Sequence, residues 1–289
     1  MTSAVRDTRL VLAAVLVVLA LASGCAGQPE QHAARPSVSA ASAGSETRTP
    51  AAAPATAAAI GGDGTYRTGE RQVTFTEPAR TGPAGQHLGP RTLVTQIRYP
   101  RTRGPAGAFP LLLFAPGFLQ CPGAYSDLLR AWASAGYVVA AVTFPRTNCH
   151  LGGEAYEADL VNQPQDMAYV LTRLLALSTQ PGDPFSGLLD PHAVGAAGQS
   201  DGGDTVAALA ASTCCTDRRL KAVAVLSGAE WPSMPGRYFP GGAPPMLFTQ
   251  GSADTINPPW MSLQLYRTDA DGVRYYLDLF GASHLFPTP

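Results

Sequence analysis

Ala193-Val194-Gly195-Ala196-Ala197-Gly198-Gln199-Ser200-Asp201-Gly202-Gly203-Asp204-Thr205-Val206-Ala207-Ala208-Leu209-Ala210-Ala211 reads as a strand, a sharp turn and a helix in one segment. The apolar run 193–197 suits a buried strand, and the small residues of 204–211 suit a helix packed closely on it. Between them, Gly198-x-Ser200-x-Gly202 has the form of a nucleophile elbow, which holds serine in a strained backbone conformation with its hydroxyl exposed at the strand end. Glycine on either side removes the Cβ atoms that would collide in so tight a turn. The motif is short, so its weight comes from this strand-to-helix context.

Working outward, the chain alternates. Segments 73–76 and 93–99 read as an initial pair of strands joined by a Gly/Pro-rich turn region. Strands follow at 111–115, 137–142, 193–197, 222–226, 245–250 and 274–279, and helices at 124–135, 164–178, 203–212 and 258–268. Mostly apolar strands alternating with helices predict an α/β domain whose central sheet is mostly parallel and covered by helices on both faces.

In such a sheet, ligands and catalytic groups collect just past the carboxyl ends of the strands. Asp254 follows the strand 245–250 and His284 follows 274–279, giving the order Ser200, Asp254, His284 for nucleophile, acid and base. The plainer readings are a helix cap at Asp254 and a surface histidine at His284. Glu230, after the strand 222–226, is the reserve acid. Among the five histidines, His32 falls in a linker, while His87, His150 and His192 lack a comparable strand-end position and are read as loop or packing residues. A serine attacking an acyl carbon also needs backbone donors for the oxyanion. One is the amide of Asp201, and the other comes from the Ala115-Pro116-Gly117-Phe118 loop. Proline cannot donate, so Phe118 is the first choice and Gly117 the second. The Asp201 carboxylate would oppose the developing charge, so it is expected to point into water.

These residues carry a resemblance. The elbow, Gly251-Ser252-Ala253-Asp254, Ser283-His284, the Pro116-Gly117-Phe118 loop and the alternating pattern are similar to the α/β-hydrolase superfamily. Within it the chain resembles secreted bacterial esterases of the chlorophyllase, cutinase and platelet-activating-factor-acetylhydrolase type. Arg98-Tyr99-Pro100 and Asp159-Leu160-Val161-Asn162-Gln163-Pro164 are like segments of the actinobacterial members. The resemblance spans 66–286 and implies an α/β-hydrolase fold, a serine carboxylic-ester hydrolase working through an acyl-enzyme, and no cofactor or metal. Small-molecule, lipid and polymer esters are the substrates it implies. A thioesterase or peptidase would use the same triad, and a binding lipoprotein without turnover is the alternative from another class. The sequence departs from that fold at its end, where a further helix is usual after the histidine. It also lacks a long lid insertion before Asp254. Trp231, Tyr238 and Phe239, in the Pro/Gly-rich segment 228–244, read equally as the wall of an acyl pocket or as loop packing.

The amino-terminal part is of another kind. Arg6 and Arg9 precede an apolar stretch, 10–22, that suits a signal sequence. It ends Leu21-Ala22-Ser23-Gly24-Cys25, resembling a lipobox and implying 1–24 as a signal peptide, lipidation of Cys25 and an extracytoplasmic, membrane-anchored protein; an ordinary secretory peptide cleaved nearby is the competing reading, and either takes the protein out of the cytoplasm. Residues 25–64 are rich in Ala, Pro, Ser and Thr and read as a tether, because they cannot bury enough apolar surface to offset ordering entropy. The domain is then 65–289, expected to act as a monomer. Setting Cys25 aside, Cys121, Cys149, Cys214 and Cys215 allow three pairings. Cys121 with Cys149 is favoured because both follow loops at one sheet edge, leaving adjacent Cys214 and Cys215 bridged or free. No Cys-x-x-Cys spacing supports zinc. With 20 basic and 21 acidic residues, no global field favours nucleic acid, and Gly61-Gly62-Asp63-Gly64 is not followed by a helix, so no phosphate loop is read.

Overall fold

The computed structural model describes Gly64, residues 66–102, 108–270 and 272–286, and Thr288. The signal-peptide and tether readings, Cys25 and His32 lie outside the described residues. Within them the chain forms a mixed, mostly parallel eight-stranded sheet with helices against it. The strands are β1 (Arg67–Glu77), β4 (Arg91–Arg101), β5 (Phe109–Ala115), β6 (Val138–Thr143), β7 (Leu189–Gln199), β8 (Leu220–Leu226), β9 (Met246–Gly251) and β10 (Arg274–Leu279), in the spatial order β1-β4-β6-β5-β7-β8-β9-β10. β4 runs antiparallel to both neighbours, and the pairs from β6 to β10 are parallel. The helices are α1 (Ser126–Ser134), α2 (Gln163–Ser178), α3 (Asp201–Ala211) and α4 (Pro259–Thr268). The expected elements are present, with ends shifted by a few residues. The region read as a turn between the first strands instead contains a small ribbon, β2 (Arg80–Thr81) with β3 (His87–Leu88).

Alternation along each strand sorts the core onto two faces. Leu111, Leu113, Val138, Ala140 and Val142 point to one side with apolar groups from α2, α3 and α4. Leu112, Phe114, Val139 and Ala141 point to the other, where α1 lays Leu128, Leu129, Trp132 and Ala133 on them. That spacing in α1 is one helical stripe. Trp132 meets Phe114 edge to face at 5.9 Å, and Phe114 meets Tyr125 at 4.8 Å. Every residue of α3 is buried. Its alanines and glycines are the consequence, since a helix enclosed on all sides must present small side chains.

One polar cluster crosses this apolar arrangement. Arg91, only 6 % exposed, donates to Asp166 at 2.7 and 2.6 Å and to Asp159 at 3.1 and 2.6 Å. Arg80 joins through Asp166 at 2.8 Å and Glu77 at 2.9 Å. Burial works against the Arg91 charge, yet its bonds to Asp166 and Asp159 hold its pKa above the ordinary guanidinium range. Complete burial pushes Asp166 up to about 6 against the pull of Arg91 and Arg80. The cluster fixes the short 3-10 helix Glu157–Asn162 and the start of α2 to the antiparallel strand β4. Replacing Arg91 with alanine leaves two buried carboxylates without their shared cation, and should cost about 3–5 kcal/mol of unfolding free energy. Urea denaturation at pH 8 measures it, and a loss below about 1 kcal/mol would show that the cluster is not holding the fold.

The cysteines resolve into two bonds. Cys121 and Cys149 are joined at 2.04 Å, the pairing favoured from the sequence, and Cys214 is bonded to Cys215. Among the described residues, no helix is long and apolar enough to cross a membrane.

Candidate active site

Ser200 stands between β7 and α3 with φ 56° and ψ −126°, a left-handed conformation that a non-glycine residue adopts only when its surroundings enforce it. The enforcement is steric. A Cβ on Gly202 would lie 1.9 Å from the Ala115 carbonyl oxygen, and one on Gly198 would lie 2.0 Å from the Gly202 carbonyl oxygen. Both elbow glycines are therefore obligatory. The Ser200 amide donates to the Leu226 carbonyl at 2.9 Å, which binds the turn to β8.

Asp254 follows β9 and His284 follows β10. The Asp254 Oδ2 lies 2.7 Å from His284 Nδ1, with Asp254 4 % and His284 5 % exposed. Two further contacts join their loops: the Ala253 amide donates to the Ala282 carbonyl at 3.0 Å, and a Cβ on Gly251 would strike the carbonyls of Ala282 and Ser283. Burial opposes the Asp254 charge, but hydrogen bonds from His284, the Asn257 amide and Gln250 hold its pKa below the usual carboxylate value. The carboxylate is thus an acceptor, so Nδ1 carries the proton and Nε2 is the unprotonated ring nitrogen. Glu230 does not compete for the histidine, and lies where its charge reaches Tyr238. His87, His150 and His192 are all exposed, but His87 lies in β3 and His192 in β7, so only His150 fits the loop reading.

The loop after β5 lies directly on the elbow, since a Cβ on Gly117 would be 3.1 Å from the Ser200 Cβ. Its amides are divided. Gly117 N–H donates to Tyr125 Oη at 3.1 Å and Leu119 N–H to the Thr147 carbonyl at 2.8 Å. Of the two amides weighed from the sequence, Gly117 is thus already bonded, and Phe118 is flanked by two committed amides. Asp201 N–H, at the first position of α3, has no helical carbonyl to donate to, and its own carboxylate is placed to accept from it.

The Asp201 side chain departs from expectation. Rather than pointing into water it is 7 % exposed, and its Oδ2 is buried without a hydrogen-bond partner. Burial, reinforced by Glu157, pushes its pKa up to about 7. The reason is the elbow itself, which turns the first residue of α3 inward along with the helix. Asp204, one turn on, is fully buried and accepts the Ala229 amide, and burial raises its pKa as well. Trp231 and Phe239 pack against the core and Tyr238 is buried, which favours loop packing for the 228–244 aromatics.

Two supporting side chains were not read from the sequence. Gln250, fully buried, donates to Asp254 Oδ2 at 2.8 Å and to the Asn257 carbonyl at 3.0 Å, while its Oε1 accepts from Ser262 at 2.6 Å. Gln199 bonds both Tyr125 and the His284 backbone. The available signal was a polar residue at the end of a strand that leads into a candidate catalytic residue, Gln199 directly before Ser200 and Gln250 four residues before Asp254. Compared with models of known protein families and with curated proteins, the sequence matches none.

Because the folded state holds the Asp201 proton up to about pH 7 and the unfolded chain releases it near 3.8, the unfolded state binds fewer protons between these values. Stability therefore falls as pH rises from about 4 to 7. Asp201→Asn should match the parent near pH 4 and exceed it by about 2–4 kcal/mol at pH 8. Thermal unfolding across that range tests this, and a difference that does not change with pH would refute it.

Proposed function

We propose that this chain is an α/β-hydrolase acting as an extracytoplasmic serine hydrolase of carboxylic esters. The observation that carries the reading is the strained Ser200 between β7 and α3, with the Asp254–His284 pair on the neighbouring strand ends at a 2.7 Å contact. The order Ser, Asp, His along the chain is that of α/β-hydrolases, and so is an oxyanion loop between the third strand of the main sheet, β5, and the first helix, α1.

In this reading His284 Nε2 takes the proton of Ser200 as Oγ attacks the acyl carbon. The tetrahedral oxyanion receives the amides of Phe118 and Asp201. Collapse expels the alcohol, to which His284 returns the proton, and leaves an acyl-enzyme that water hydrolyses by the same steps. Asp254 keeps the imidazole in the required tautomer and stabilises its cation. Exposed apolar side chains lie close along the chain to three of the site residues: Leu119, beside Phe118, is 38 % exposed, Ile256, two residues after Asp254, 64 %, and Leu285, beside His284, 46 %. They suit an ester with an apolar acyl part and supply no charge to select an ionic substrate.

A series of p-nitrophenyl esters of increasing chain length tests the assignment. The parent should turn over and be labelled by a serine-directed phosphonate, while Ser200→Ala loses both and Asp254→Asn falls by about 10⁴ in kcat. A folded parent that neither turns over nor labels would favour a binding protein of this fold.

The two disulfides agree with export to an oxidising compartment, and we propose that Cys25 carries the lipid that tethers the domain to the cell envelope. Mass spectrometry of the amino-terminal peptide should show a diacylglyceryl mass on Cys25. An unmodified terminus elsewhere would end that claim.

A further inference from the structure

We propose that Gln199 is a positioning residue that locks the oxyanion loop and the base loop to each other across the elbow, a role that rests on the hydrolase reading above. Three hydrogen bonds form a single buried chain: Gly117 N–H to Tyr125 Oη at 3.1 Å, Tyr125 O–H to Gln199 Oε1 at 2.7 Å, and Gln199 Nε2 to the His284 carbonyl at 3.1 Å. Gln199 is 1 % and Tyr125 0 % exposed, so water does not substitute for a missing partner.

The direction of the chain is determined by its ends. A backbone amide can only donate, so the Tyr125 oxygen accepts from Gly117 and its own proton is free for Gln199. A backbone carbonyl can only accept, so His284 requires the Nε2 side of the Gln199 amide. The reversed amide would set Oε1 against the His284 carbonyl, two acceptors with no proton between them. Gly117 is also packed onto this side chain, since a Cβ there would lie 2.9 Å from Gln199 Oε1. One side chain, adjacent to the nucleophile, thereby fixes the peptide that precedes the Phe118 donor and the backbone of the base. His284 is then held at two points, its ring by Asp254 and its carbonyl by Gln199.

Gln199 touches neither the acyl carbon nor the leaving group, so its loss should appear in kcat and leave KM nearly unchanged. Gln199→Met in the full chain should lose on the order of 100-fold in kcat with a native circular dichroism spectrum. Gln199→Glu gives the discriminating result. Its neutral carboxyl can accept from Tyr125 and donate to His284, reproducing both bonds, whereas the carboxylate cannot donate. Activity of Gln199→Glu relative to the parent should therefore fall as pH rises, while Gln199→Met stays low throughout. Tyr125→Phe should weaken kcat in the same way and combine with Gln199→Met less than additively. Should Gln199→Met fail to fold, the Gln199→Glu pH profile and Tyr125→Phe decide the matter. A reactive parent with full kcat retained in Gln199→Met, or a Gln199→Glu ratio independent of pH, overturns the positioning role alone. A parent that neither turns over nor labels overturns the hydrolase reading and this proposal together.

Discussion

The tightest constraint in the molecule is the crossing of β5, β7 and α3, where Gly202 has no room for a Cβ against the Ala115 carbonyl. Everything at the candidate site depends on that approach. Because the helix starts so close to the strands, Ser200 is driven to positive φ, α3 is buried on all sides, and the loop after Ala115 is laid across the serine. A larger residue at Gly198, Gly202 or Gly117 would separate these layers before it altered any chemistry. The strain of a non-glycine residue at such a φ is on the order of 1–3 kcal/mol. It is sustained because the layers on both sides are packed and cannot yield independently.

Packing sets the layers, but buried amide side chains set the register of the loops above them. Gln250 orients Asp254, and Gln199 ties the His284 backbone to Tyr125 and through it to the loop after β5. Gln163 joins α3 to a third loop, accepting from Thr205 at 2.7 Å and donating to Thr147 at 2.9 Å, while the Thr147 carbonyl takes the Leu119 amide. Each glutamine supplies both a donor and an acceptor, which is what a link between two backbone segments needs. Such bonds add only about 1 kcal/mol each when made, yet an orphaned buried partner costs about 1–3 kcal/mol. Their effect is therefore to make alternative loop positions unfavourable.

The sequence revealed what is local and periodic. Apolar runs located the strands, and the elbow, Asp254 and His284 stood out because strand ends could be recognised around them. The ribbon at 80–81 and 87–88 was not legible, because two-residue strands carry no period. Arg91 and Asp166 were not legible as a pair either, since they come from elements that only the tertiary fold brings together. Gln199 sat in plain view as the variable position of the motif, but its partners Tyr125 and the His284 carbonyl are set by topology. Asp201 was read the wrong way for a related reason. An acidic residue at a helix start is ordinarily solvated, and only the complete enclosure of α3 makes that rule fail here.

Sequence separation distinguishes the two disulfides, 28 residues against one. The Cys121–Cys149 bond closes a loop with a sequence separation of 28, for which the chain-entropy argument gives about 3.5 kcal/mol against the unfolded state. The bond thus stabilises the domain and at the same time fastens the segment after the oxyanion loop to the segment after β6, beside the Leu119–Thr147 contact. Cys214–Cys215 joins neighbours, so the same argument gives it only about 1 kcal/mol. Its consequence has to be local. It sits in the turn that ends α3, where Thr213 exchanges hydrogen bonds with Arg237 and the Phe239 amide reaches the Ala211 carbonyl. The first bond restrains the loop that approaches the front of the elbow helix, and the second rigidifies the turn behind it. The strained serine is in this way supported from both ends of α3.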